Sequence, residues 1–166
     1  MKSRQHIHLL TSSPKANGFY KGGTVKKYIP GIYRVNELNM LKKYQSLPND
    51  KRPEDFAIYE YSKGDWTFHG KGAWVYEDRS KNAVDLTIIG TSNFSYRSNR
   101  RDNECQLYIF SECEDLKLKL HNEAQNLFEN SIKVDVNTVK NGGGELGYHK
   151  LTWKERWLNR LFASFI

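Results

Sequence analysis

Short apolar runs of strand length alternate along this chain with longer segments whose apolar residues recur every three or four positions, and that interleaving fixes the fold class. His6 to Ser12 is an apolar-centred run that stops at Ser12-Ser13-Pro14. Phe56 to Tyr61 alternates, and further strand-like runs cover Trp66 to Tyr76, Val84 to Ile89 and Asn103 to Phe110. Between and after them lie helical patterns. Ile29 to Leu47 carries Ile32, Val35, Leu38 and Leu41 on one face before Pro48 and Pro53 break it, Asp115 to Phe128 is amphipathic, and Leu151 to Ile166 carries an aromatic stripe. The loop from Lys15 to Gly23 holds turn formers around two aromatics, and Asn141-Gly142-Gly143-Gly144 is a polar break. The expectation is an α/β fold, a mixed β-sheet flanked by helices, with residues 1–150 as one body and residues 151–166 as a C-terminal amphipathic helix.

At 166 residues the chain is long enough to bury a core, and 38% hydrophobic with 13% aromatic residues excludes a disordered chain. The mean hydropathy of −0.76 excludes a polytopic membrane protein, and no apolar run approaches the ~20 residues of a spanning helix. A net charge of +7 points to an anionic partner: nucleic acid, a phosphorylated small molecule or an acidic lipid surface. Cys105 and Cys113 form no disulfide framework and no metal spacing; Cys105, in a strand-like run, is expected to be a buried free thiol, which implies a reducing compartment. The opening Met-Lys-Ser-Arg-Gln lacks the apolar core of a signal peptide and does not read as a transit peptide.

The segment Phe68-His69-Gly70-Lys71-Gly72-Ala73-Trp74-Val75-Tyr76 carries the sharpest chemistry. On a strand, His69 and Lys71 project from the same face. A lysine beside an imidazole suits displacement at phosphorus: the ammonium holds non-bridging oxygens while the histidine acts as nucleophile or as general acid–base. An isolated His-x-Lys pair is weak and far more often two surface residues on an edge strand; its context carries the reading. Gly90-Thr91-Ser92-Asn93-Phe94 closes the next strand, where Ser92 and Asn93 can hydrogen-bond phosphate oxygens. In the following Ser95 to Glu104, Arg97 and Arg101 share a face if the segment is helical, and Glu104 opens the next strand, where its carboxylate can orient a histidine. Arg97, Arg100 and Arg101 can grip a phosphate bidentately, or form a local salt-bridge cluster with Asp102 and Glu104. Asn17-Gly18-Phe19-Tyr20 reads either as a pocket wall or as a structured turn.

His-x-Lys, then Gly-x-Ser-Asn, then Glu resembles the second catalytic motif of the phospholipase D superfamily. Where that superfamily carries an aspartate, Tyr76 stands here; Glu77 and Asp78 are displaced by one and two, and neither is assigned to the site. The wording His69-Gly70-Lys71-Gly72-x-Trp74-x-Tyr76, with Gly90 to Glu104 and Leu9 to Tyr20, is similar to the eukaryotic-type CDP-diacylglycerol–glycerol-3-phosphate 3-phosphatidyltransferase family over roughly residues 7 to 130.

The resemblance implies a phospholipase-D-like half-domain and a two-step transfer. A histidine displaces CMP from CDP-diacylglycerol to leave a phosphatidyl-histidine, which glycerol 3-phosphate then resolves. It implies His69, Lys71, Asn93 and Glu104 as catalytic residues, with His69 as general acid–base, and Ser92, Arg97, Arg101 and Asn17 as substrate-binding. It implies no cofactor and no metal, no nucleic-acid partner, a membrane surface, and a mitochondrial inner-membrane location. His6, His8, His121 and His149 have no lysine two positions on, so the nucleophile of the first motif is missing. The chain is therefore expected to be the C-terminal half of a longer protein, or to pair with a second copy. A phosphatidylserine synthase of the same superfamily, a superfamily nuclease and a non-catalytic lipid-binding half are the rival readings. The C-terminal stripe of Leu151, Trp153, Trp157, Leu158, Leu161, Phe162, Phe165 and Ile166, with Lys154, Arg156 and Arg160 beside or opposite it, suits a bilayer interface and equally a packed helix.

Overall fold

The computed structural model describes residues 5–24, 26–142 and 149–162. They form two compact units, one from Met1–His69 and Asn130–Leu161, the other built around Gly70–Glu129.

In the first unit, the strand-like run His6–Ser12 is strand β1 and Asp55–Tyr61 is β2, paired in parallel from His6↔Asp55 to Ser12↔Tyr61. Parallel neighbours need a crossover, and helix α1, Ile29–Ser46, supplies it. Pro30 sits in its first turn, where a missing N–H costs nothing, and the helix stops before Leu47, which is extended as a residue ahead of proline must be. Its predicted apolar row is the core: Ile32, Val35, Leu38 and Leu41 are all buried, and the last three cluster with Ile58, Val134, Val139 and Leu151. A third strand, β6 (Ser131–Val134), lies antiparallel to β2 and leads into the short helix α4, Val136–Asn141, capped by the Asp135 side chain on the Thr138 N–H at 2.7 Å.

The last helix, α5, is Trp153–Phe162; the expected helix begins two residues earlier, and residues 163–166 lie outside the described residues, as does most of the glycine-rich stretch. α5 turns its polar side inward. Glu155 is 2% exposed, accepting from the Thr152 N–H and hydroxyl and lying 2.7 Å from His149 Nε2. Asn159 donates to the Ile32 carbonyl and to Asn36 Oδ1. Gly31 permits this approach, because a Cβ there would sit 1.9 Å from Glu155 Oε1. Arg34 is 1% exposed and holds the end of α4, its guanidinium donating to the carbonyls of Thr138, Val139 and His149.

The second unit is an antiparallel meander of β3 (Gly72–Val75), β4 (Leu86–Gly90) and β5 (Gln106–Phe110), followed by helix α3, Glu114–Glu129. Trp74 Nε1 donates to Glu123, and the Tyr76 hydroxyl meets His121 Nδ1 at 3.3 Å.

Three expectations need correction. The run Trp66 to Tyr76 is a strand only from Gly72, because β3 extends only as far as its partner: Gly72 faces Ile89, and β4 ends one residue later. The residues ahead of it follow a turn at Gly64, whose φ of +52° suits glycine. His69 and Lys71 therefore precede the strand rather than share its face. β5 begins at Gln106, so Glu104 stands two residues before the strand it was expected to open. Cys105 is exposed, not buried, as is Cys113; β5 pairs on one side only and leaves Leu107, Tyr108 and Phe110 open, so the thiol carries no inference about compartment.

Candidate active site

In the second unit the motif between β4 and β5 folds as a small knot of hydroxyls. Gly90 lets the two strands close, since a Cβ there would lie 2.4 Å from the Cys105 carbonyl oxygen. Thr91 then exchanges bonds with Cys105, N–H to carbonyl at 3.0 Å and hydroxyl from the Cys105 N–H at 3.0 Å, and its hydroxyl donates to the Glu104 carboxylate. Ser92 is buried and its oxygen accepts from the Phe94 N–H, which leaves its own hydroxyl proton to donate. The Asn93 N–H is held by the buried Ser98 hydroxyl, and Ser95 caps the short helix α2, Tyr96–Arg100, by accepting from the Ser98 N–H. The two serine bonds hold Phe94 at a φ of +54°, a left-handed conformation costly for an aromatic residue, and the residue is 58% exposed.

These residues line an open cleft of about 660 Å³ formed by Ser92, Phe94, Tyr96, Ser98, Asn99, Glu104 and their neighbours on β5. Its wall offers hydroxyl and amide donors, one carboxylate and exposed aromatic rings. Of the sequence-predicted residues, Ser92 and Glu104 line this cleft, while Asn93, between Ser92 and Phe94, is not among its lining residues. Arg97 bonds sideways instead: its Nε contacts both Asp102 carboxylate oxygens at 3.0 Å, so a phosphate must compete with that pair. Arg101 lies just past α2, as its C-cap, so the two arginines do not share a regular helical face. Asp78, left out of the site, is an N-cap: its carboxylate accepts from the Ser80 N–H and hydroxyl, which hold its pKa below the usual carboxylate range.

In the first unit, the end of the His-x-Lys segment is fixed by its neighbour. The Phe68 N–H donates to the Ala16 carbonyl at 2.8 Å and its ring packs on Tyr61 at 5.0 Å, and His69 is exposed at the end of the unit's first segment. The Asn17 loop thus lies against the His69 segment. Asn17 itself is buried and its side chain is spent on the loop, donating to Ser12 Oγ and accepting from the Phe19 N–H, while Phe19 and Tyr20 project outward. Lys71 is half-buried at the start of the second unit. The supports Thr91 and Ser98 were not singled out from sequence; the only signals for them were a hydroxyl directly after the strand-ending glycine and the Ser95-x-x-Ser98 capping interval.

No family model matches the chain. Over 138 residues, 83% of its length, it is 36% identical to the mitochondrial CDP-diacylglycerol–glycerol-3-phosphate 3-phosphatidyltransferases of Bos taurus and Homo sapiens. A probable enzyme of the same name from Dictyostelium discoideum is 25% identical over the whole chain. The chain spans about a quarter of the length of these curated relatives, 24% to 27%. In structure it is similar to the phosphatidylserine synthase of Haemophilus influenzae Rd KW20, with a TM-score of 0.67 and 19% identity over 96% of this chain and 33% of that one. The chain is homologous to one segment of the CDP-diacylglycerol–glycerol-3-phosphate 3-phosphatidyltransferases and has the mixed α/β, phospholipase-D-like fold.

Proposed function

We propose that this chain supplies one of the two His-x-Lys motifs of an enzyme that moves a phosphatidyl group from CDP-diacylglycerol to glycerol 3-phosphate at a membrane surface. The observation that carries the reading is the 36% identity to an enzyme of that name over 138 of the 166 residues. In this reading a histidine of the other motif, in the same parent chain or a second copy, attacks the phosphorus that bears diacylglycerol. The P–O bond to CMP breaks as His69 gives the departing oxygen a proton. His69 then takes the proton of the glycerol 3-phosphate hydroxyl, which attacks the phosphatidyl-histidine and breaks its P–N bond. Lys71, Ser92 and Asn93 hold the non-bridging oxygens, Glu104 orients the imidazole, and Arg101, with Arg97 once it exchanges Asp102 for phosphate, receives the anionic acceptor. Asn17 acts through its loop, by setting Phe19 and Tyr20. The mitochondrial names of the relatives support a mitochondrial location, and in this reading the enzyme works on the inner membrane.

The test is His69→Ala in the complete enzyme with lipid-labelled CDP-diacylglycerol. Net transfer should fall by ~10²–10⁴-fold, the usual contribution of a general acid–base. Acid-labile label trapped on the protein marks His69 as the acid–base; no label at any time marks it as the nucleophile. Full turnover defeats both roles. Because the similar fold is that of a phosphatidylserine synthase, the same assay offers labelled serine, and its entry into lipid would reassign the acceptor.

A further inference from the structure

Helix α5 buries the side that a soluble helix usually exposes. Glu155 and Asn159, one turn apart, face the first unit and are tied there by hydrogen bonds. The row carrying Trp153, Trp157 and Leu161 faces outward, the three residues being 72%, 54% and 50% exposed. Polar anchoring fixes the helix in this orientation, so the apolar row is not a core face that slipped outward.

The charges decide what covers it. Arg156 and Arg160 run along one flank of the aromatic row and line, with the two indoles, a shallow groove of about 270 Å³. Lys154 stands on the other flank, its ammonium 5.9 Å from the Trp153 ring centre. The one acidic side chain of the helix, Glu155, is turned inward, so the outward face of Trp153 to Leu161 is apolar and purely cationic. Tryptophan and leucine at the acyl boundary, with arginine and lysine level with the phosphates, is the composition of a helix that lies in a lipid interface. At ten residues α5 is too short to cross a bilayer, and no helix among the described residues is long and apolar enough to cross one.

We propose that the outward face of α5 docks the chain on anionic lipid, with the indoles at the acyl boundary and Arg156 and Arg160 gripping headgroup phosphates. This deepens the lipid-substrate reading by naming the surface that presents the substrate. Vesicles without CDP-diacylglycerol test it separately from turnover.

The experiment is co-sedimentation of the full chain with vesicles of phosphatidylcholine alone and of phosphatidylcholine mixed with phosphatidylglycerol. Binding should favour the anionic vesicles. Arg156→Gln/Arg160→Gln should lower that partition by about 25-fold, from roughly fivefold per arginine at an anionic surface. Trp153→Ser/Trp157→Ser should weaken binding to both vesicle types, while Trp66→Ser, which alters an equally exposed indole outside α5, should change neither. Should a substituted helix unfold, acyl-brominated lipids used on Trp66→Phe/Trp74→Phe, whose remaining tryptophans are Trp153 and Trp157, read the native helix: tryptophan quenching that survives supports docking. No binding to anionic vesicles, or binding undiminished in both double variants, overturns the proposal. So does a monomeric Trp153→Ser/Trp157→Ser from an oligomeric parent with vesicle binding unchanged, which would make the face a contact between copies.

Discussion

Replacing Glu37 by glutamine should leave the first unit stable near neutral pH and remove most of its loss of stability as the pH rises. Glu37 sits on the inner side of α1 beside Glu60 of β2, the two being 5% and 0% exposed. Burial raises the Glu37 pKa well above the usual carboxylate range; the neighbouring Glu60 charge and a hydrogen bond to Glu60 raise it further, and the Arg34 guanidinium opposes them. Two carboxylates in one buried site cannot both ionise, so the pair keeps one proton between them. With the folded pKa raised, the stabilisation is complete below the unfolded value of about 4.3 and is lost as pH climbs through the folded value. Between those limits the folded chain holds one proton that the unfolded chain releases, and unfolding free energy falls by up to about 1.4 kcal/mol per pH unit.

Glutamine offers Glu60 an N–H donor at every pH, so that slope should disappear. The lowered pKa of Asp55, where the His8 imidazole bonds its carboxylate, and that of Asp135, which accepts the Thr138 N–H, act oppositely. Their stabilisation is present above their unfolded values and lost only as pH falls through the folded ones, so they do not mask the effect. Urea unfolding followed by circular dichroism, from about pH 5 to about pH 8, reads the slope directly. If Glu37→Gln keeps the slope of the unsubstituted chain, or if that chain has none, the shared proton is wrong.

Arg34→Met should cost about 3–5 kcal/mol, because it strands the buried Glu37–Glu60 pair without its cation and leaves three carbonyls without their donor; the urea midpoint should fall with the m-value unchanged. Gly90→Ala should cost about 1–3 kcal/mol by forcing the backbones of β4 and Cys105 apart, and amide exchange at Thr91, bonded to the Cys105 carbonyl, should quicken.

The fold was legible where the pattern is local. The row Ile32, Val35, Leu38, Leu41 needs only the helical period to be read, and the strands at residues 6–12 and 55–61 end at turn formers within two residues. What sequence missed depends on partners. Trp66 to Tyr76 carries strand-type residues throughout, but pairing stops where β4 stops, and no local signal marks that. β6 has four residues with only Ile132 and Val134 apolar, too few to stand out from the end of α3. Cys105 was misjudged because the run around it gives no sign that β5 is an edge.

Chemical identity and geometric support separate in the same way at the site. Ser92, Asn93 and Glu104 were proposed from sequence because displacement at phosphorus would call for such groups, whatever holds them. Their supports are residues whose polarity is used up internally: Thr91 on Glu104, Ser98 on the Asn93 N–H, Asn17 on its own loop. α5 carries the argument one step further. Its period announced an amphipathic helix, yet the direction it faces is set by Asn159 reaching Ile32 and Asn36, more than 120 positions back in the chain. In each place polar groups bonded inward free other groups to face outward, aromatic rings in the cleft and indoles on the helix. On α5 a long-range hydrogen bond, invisible in any sequence window, decides which residues face outward.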